Sequence, residues 1–250
     1  FAGWATGMSV GPANESAQSL TGFTVTQTGG PLGAFTVAPS VTLGGTLSYT
    51  PDTAATGTFT FDVTLADDGS GIAPNVNTSA AHVLTIILVP VPTQVYVDST
   101  LYAGYSQGDP VPGPATYFGI DAFTVVQPAV NIVASAGTVF VASGTYLGAT
   151  VSKTITLDLQ ANPTLTGASP VISHSSGTLT IVGGELDQNT AFPTIALSGG
   201  TLILDGVTVL ESSVGNHAAI EVTSGTLDIS SLGGNTIRVR GLCGLLIDNN

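Results

Sequence analysis

Apolar and polar residues alternate along most of this chain, and a period of two is the signature of β-strands. Before residue 92 the alternating runs are Phe23-Thr-Val-Thr, Phe35-Thr-Val, Thr46-Leu-Ser-Tyr-Thr, Thr58-Phe-Thr-Phe-Asp-Val-Thr-Leu and His82-Val-Leu-Thr-Ile-Ile-Leu-Val. Turn signals separate them: Gly29-Gly30-Pro31, Gly44-Gly45, Pro51-Asp52 and Asp67-Asp68-Gly69-Ser70-Gly71. Short strands with regular turns predict a β-sandwich over 1–92. Pro90-Val-Pro92 marks its end.

The second part, 93–250, carries an internal repeat. Thr178-Leu-Thr-Ile, Thr201-Leu-Ile-Leu and Thr226-Leu-Asp-Ile recur at intervals of 23 (201−178) and 25 (226−201). Thr154-Ile-Thr-Leu lies 24 (178−154) before the first. A period near 24 with two or three short strands per unit fits one coil of a parallel β-helix. Alternation then selects the core. Leu179/Ile181, Leu202/Leu204 and Leu227/Ile229 should stack inward, and Ile172, Ile195, Ile220 and Ile247 should form a second ladder. Thr180, Ile203 and Asp228 should point outward.

Between the two parts, Phe123, Val126, Val130 and Val133 fall at helical spacing. This predicts one short helix starting at about Gln127, with Pro128 in its first turn. It would cap the first coil within a segment 95–136, and the coils would fill 137–250. The chain opens and stops in mid-pattern, so the last coil is expected to be incomplete.

Two resemblances sharpen this reading. Gly11-Pro-Ala-Asn-Glu-Ser, Gly45-Thr-Leu-Ser-Tyr-Thr-Pro-Asp, Phe59-Thr-Phe-Asp-Val-Thr-Leu-Ala-Asp-Asp-Gly and Asn77-Thr-Ser together resemble the cadherin-like or bacterial Ig-like modules of large surface proteins. Such modules usually carry one strand more, and its absence would leave a sheet edge open to a neighbour's strand. The segment from Asp121 to Tyr146, ending Ser143-Gly-Thr-Tyr, resembles the entry cap of the pectin-lyase-like right-handed parallel β-helix. The implied fold is all-β: an Ig-like sandwich, then a right-handed parallel β-helix with a short N-terminal capping helix.

Composition narrows the function classes. Only 8% of residues are charged and the net charge is −13. The three basic residues, Lys153, Arg238 and Arg240, cannot form the stripe that nucleic acid requires. No apolar stretch reaches membrane-spanning length. The lone Cys243 reads as a small apolar residue and allows no internal disulfide.

Candidate chemistry is sparse. Polysaccharide lyases and hydrolases of the resembled superfamily need carboxylates from neighbouring coils on one face, as Ca²⁺ ligands or an acid/base pair. Asp158 and Asp205 share a register two coils apart, with Val182 between them. Asp187 and Glu211 fall one position out of step, and the third coil offers Thr236. Glu221 and Asp248 are the one acidic pair expected in register on adjacent coils. Asp67 and Asp68 sit in a Gly-rich loop whose default role is a turn. Asp67, Asp68, Glu221 and Asp248 are therefore the only candidate Ca²⁺ ligands, and no catalytic or cofactor-binding residue is assigned. His174 should be a partly buried coil residue, aligned with Leu197 and Val222. Tyr102, Tyr105, Tyr117 and Phe118 cluster in a long loop and should pack it onto the cap.

The expected function is a structural or adhesive extracellular surface protein, with a self-assembling filament or sheath subunit as one form of it. The expected partners are further copies of itself, other cell-surface proteins or a polysaccharide. The alternatives are the non-catalytic front of a polysaccharide lyase or hydrolase, and a carbohydrate-binding module.

Overall fold

The computed structural model describes residues 1–72, 76–167, 169–212, 217–230, 234–239 and 243–247. The chain divides into two units, Phe1–Pro90 and Val91–Asn250.

The first unit holds β1 (Leu20–Gly29), β2 (Phe35–Val41), β3 (Leu47–Pro51), β4 (Gly57–Asp67) and β5 (His82–Leu88). The alternation does what it predicts. Phe59, Phe61 and Val63 of β4 turn inward and are buried, while Thr58, Thr60, Asp62 and Thr64 face out. β4 is the centre of an antiparallel sheet, β1-β4-β5, and β2 and β3 form a separate antiparallel pair. Phe35 of β2 meets Phe59 and Phe61 edge-on, with ring centroids 5.2 and 5.7 Å apart. The two sheets thus close over one core, which Leu47, Leu84 and Ile86 complete. The N-terminal segment lies along β3: Leu47 N donates to Phe1 O at 3.1 Å and Ala5 N to Gly45 O at 3.0 Å. Gly45 has φ +78, and a Cβ there would lie 2.1 Å from Ala5 O, so the close approach requires glycine.

The second unit is a parallel β-solenoid of about six turns. It begins with β6 (Gln94–Val97), β7 (Ala122–Phe123) and α1 (Val126–Ile132). The coils then run through β8 (Gly137–Val141), β9 (Thr145–Leu147), β10 (Ala149–Val151), β11 (Ile155–Asp158), β12 (Thr164–Thr166) and β13 (Ile172–His174). They continue through β14 (Thr178–Val182), β15 (Glu185–Gln188), β16 (Ile195–Asp205), β17 (Thr208–Glu211), β18 (Ala218–Asp228), β19 (Thr236–Val239) and β20 (Cys243–Ile247).

Three faces result. The first stacks β6, β8, β11, β14 and the C-terminal parts of β16 and β18. The second stacks β10, β13, the N-terminal parts of β16 and β18, and β20. The third stacks β9, β12, β15, β17 and β19.

Inside, aliphatic side chains form the expected ladders. Val95, Val139, Leu157, Ile181 and Leu204 are successive in-register partners, and all are fully buried. Ile155, Leu179, Leu202 and Leu227 make a second row. Burying each large aliphatic chain stabilises by about 1.5–3 kcal/mol relative to exposure. Outside, Thr138, Thr156 and Thr180 share one row, followed by Ile203 and Asp228.

Two sequence expectations need correction. Ile229, placed among the inward residues, lies beyond the end of β18 and is 41% exposed. The ladder Ile172, Ile195, Ile220 continues to Leu245, whereas Ile247 pairs with Val222. Alternation fixes which face a residue takes, and a slip of two residues leaves that face unchanged.

The helix caps the first coil. Val126, Ala129 and Val130 are buried, and they join Phe123 and Val133 in the solenoid core. Phe123, expected on the helix, belongs to β7. Pro128 sits in the first turn, where a missing N–H costs nothing. Lys153 Nζ donates to the carbonyls of Asn131 and Val133 at the C-terminal end, where cations are favoured. Gln127 shields the edge of β10: its Oε1 accepts from Thr150 N at 2.7 Å and its Nε2 donates to Thr150 O at 3.1 Å. A side-chain amide thus substitutes for a missing strand.

Candidate functional site

Among the described acidic candidates, Asp67 and Asp68 belong to the first unit and Glu221 to the second. Asp67 Oδ1 accepts from Gly69 N at 2.7 Å and Asp68 Oδ1 accepts from Ser19 N at 2.8 Å. Both carboxylates close the loop that follows β4, as their turn chemistry predicts. Glu221 faces outward between Ala196 and Leu246, so the expected in-register pairing with Asp248 is displaced. Asp248 itself lies outside the described residues. Among the described residues no three His, Cys, Asp or Glu side chains converge as a metal site would require.

Asp158, Val182 and Asp205 are successive partners on the first face, as their spacing predicts. Asp187 and Glu211 separate more sharply. Asp187 is outward and accepts from Ser212 Oγ at 2.7 Å. Glu211 is inward and 2% exposed, in register with Gln188. Thr236 aligns with Thr208, and Val239 takes the place beside Glu211. Arg238 is in register with Leu210; Arg240 lies outside the described residues.

Gln188 anchors a polar corner of the solenoid. It is fully buried; Nε2 donates to Ser169 O at 2.6 Å and Oε1 accepts from Asn189 N and Thr190 N. Buried Thr194 donates to Leu210 O at 2.6 Å. This corner was hidden in the sequence, although the alternations Leu186/Gln188 and Val209/Glu211 already point both polar residues inward.

His174 is wholly buried rather than partly so. It occupies the row Val151, His174, Leu197, Val222. Nδ1 lies 3.1 Å from Val151 O and Nε2 3.2 Å from Gly177 O. Both partners are acceptors, so a neutral imidazole, with one N–H, can donate to only one of them. Gly200 makes room for the ring: its φ is +75, and a Cβ would lie 2.8 Å from Nε2 and 2.5 Å from Gly177 O.

At the capped end of the solenoid a groove of about 430 Å³ opens. Tyr96 and Phe140 line it as in-register neighbours. Their rings stack with centroids 5.2 Å apart and planes 13° apart. Asp158 follows Phe140 in the same outward row, and Asp98, Leu101 and Gln160 complete the rim. Asp98 Oδ1 accepts from Thr100 N and Leu101 N, each at 2.8 Å. Asp158 Oδ1 accepts from Gln160 N at 3.0 Å. Tyr102 forms part of the lining and is 1% exposed. Burial, then the charges of Asp98 and Asp121, push its hydroxyl pKa up, so it stays protonated at neutral pH.

The loop aromatics divide. Tyr102 is buried with Ala115 and Ala122, and Phe118 packs against Phe123 at 6.4 Å; Tyr117 is 39% exposed. In the first unit a recess of about 470 Å³ is lined by Trp4, Met8, Phe23, Leu65 and His82. It is mostly apolar, with Trp4 edge-on to His82.

No known protein family, curated protein or solved structure matches the chain. No helix among the described residues is long and apolar enough to cross a membrane.

Proposed function

We propose that this chain is part of an extracellular surface protein with a structural or adhesive role, in which the solenoid is a stiff spacer. The observation that carries the reading is the unbroken parallel register of the first face, from β6 through β18. Each coil adds about 4.8 Å of rise, and each is locked to the next by backbone hydrogen bonds and core ladders. Such an array resists bending and presents a long, repetitive surface. The low charge content fits a surface made of hydroxyls and backbone.

Two finer points of fold belong to the same reading. The coils wind to the right, following the strong preference of parallel crossovers. The first unit is an Ig-like or cadherin-like module, supported by its two antiparallel sheets around one aromatic core.

Self-association is the expected mode of assembly. β5 is an edge strand that carries Val83 and Ile87, 59% and 65% exposed. Exposed apolar edges invite strand addition.

Antibodies raised against residues 1–250 test the proposal on cells that make the whole protein. Labelling of intact cells is expected; labelling only after lysis would overturn it. Electron microscopy of concentrated protein tests the assembly: filaments or sheets are expected, and dispersed monomers would contradict it.

A further inference from the structure

We propose that β5 pairs antiparallel with β5 of a second copy of this chain, about a two-fold axis at Thr85, to make one six-stranded sheet. This rests on the self-association in the proposed function and names its contact, register and symmetry.

The backbone of β5 is free on one side. Among the described residues, β4 is the only strand paired with β5, in an unbroken run from Gly57↔Leu88 to Val63↔His82. No backbone group of residues 82–88 bonds to backbone outside that pairing. A strand carries bonding groups on both sides, so the outer row of β5 is a template for another strand.

The opposite edge of the same sheet is protected. β1 carries irregularities between Leu20 and Gly22 and between Gln27 and Gly29, and bulges turn an edge away from partners. Its exposed side chains are polar: Thr24, Thr26 and Thr28. β5 has neither device. Its register is regular, and His82-Val-Leu-Thr-Ile-Ile-Leu88 holds no Lys, Arg, Asp, Glu or Pro. Val83 and Ile87 are 59% and 65% exposed, whereas Leu84 and Ile86 are buried.

The sequence of β5 selects the partner. Residues that face each other in an antiparallel pair lie on the same side of the sheet. With Thr85 facing its own copy, Val83 faces Ile87 on one side and Leu84 faces Ile86 on the other, each contact being made twice. The exposed aliphatic chains cover each other, and the buried pair extends the core of the first unit across the boundary. Moving the axis to Leu84 or Ile86 would set Thr85 against Val83 or Ile87 instead. Such self-complementarity is what a two-fold contact requires.

Charge points to the same contact. Two chains of net charge −13 repel wherever their carboxylates meet, and β5 brings none to the seam. Asp62 lies one strand back, opposite Val83. In the joined sheet it is three strand spacings, about 14 Å, from the strand that carries its copy, beyond the Debye length at physiological salt.

Sedimentation of the whole 250-residue chain tests the association, and a single cysteine tests the register. A reversible dimer is expected, with a Kd of about 10–100 μM. Thr85→Glu sets two carboxylates face to face and should weaken it by about fivefold or more. Ile87→Thr removes an apolar contact made twice and should weaken it by about tenfold. Melting temperatures close to that of the unsubstituted chain show that the variants fold. With Cys243 replaced by Ala, Thr85→Cys should form an intermolecular disulfide under mild oxidation, because facing Cα atoms lie about 4.5–5.5 Å apart. Thr26→Cys, on the protected edge, should not. A chain that stays monomeric up to about 1 mM overturns both this proposal and self-association. Association that Thr85→Glu leaves unchanged, or cross-linking of Thr26→Cys as readily as Thr85→Cys, overturns the β5 contact alone.

Discussion

The two units use the same alternation to opposite ends. In Phe1–Pro90, antiparallel strands bury one face against a small aromatic core, and β1 and β5 are the edge strands of the sheet β1-β4-β5. In the solenoid every coil is both edge and partner, so ladders run through the unit and Gln127 covers the first edge of the second face. The contrast teaches where stability should sit. A defect in the solenoid touches a continuous stack, whereas a defect in the first unit touches one local cluster.

The largest expected effect comes from breaking a central ladder. Leu157→Ala removes a fully buried residue between Val139 and Ile181 and should destabilise the solenoid by about 3–5 kcal/mol. Calorimetry should show its transition falling while that of the first unit holds. Leu84→Ala, at 7% exposure in the core of the first unit, should do the reverse at about 2–4 kcal/mol. If both variants shift one shared transition, the division into independent units is wrong.

Gly200→Ala comes next. The positive φ and the crowding by Gly177 O and His174 should cost about 1–3 kcal/mol, read by denaturant unfolding. Gln127→Ala should cost about 1–2 kcal/mol and increase association through the bared β10 edge, seen by sedimentation. A variant that associates no more than the unsubstituted chain would show that the amide protects nothing.

The smallest effect is a pH dependence. Desolvation lowers the Lys153 pKa, so the folded state releases this proton before the unfolded chain does. Between the two values the unfolded chain binds more protons, and stability rises with pH up to the unfolded value of about 10.4. Lys153→Met should remove that rise.

The solenoid was legible because its repeat is long and its core residues are strongly periodic. Helix position followed from Val126, Val130 and Val133. What misled was register. Leu245 and Ile247 have the same parity, so the pattern could not choose between them. The loop between β18 and β19 likewise broke the count to Thr236. Polar side chains belong by default on the surface, which hides Gln188 and Glu211, although the alternations Leu186/Gln188 and Val209/Glu211 turn both inward. The groove could not be seen at all, since Tyr96 and Phe140 meet only after the chain has passed through the cap.

Cross-linking tests the central claim, the in-register stack, most directly. Thr156 and Thr180 are outward partners on adjacent coils, about 4.8 Å apart and within disulfide range. With Cys243 replaced by Ala, the double variant Thr156→Cys/Thr180→Cys should form an intramolecular disulfide under mild oxidation. Thr156→Cys/Ile203→Cys, two coils apart, should not. Cross-linking of the second pair, or of neither, would contradict the stack.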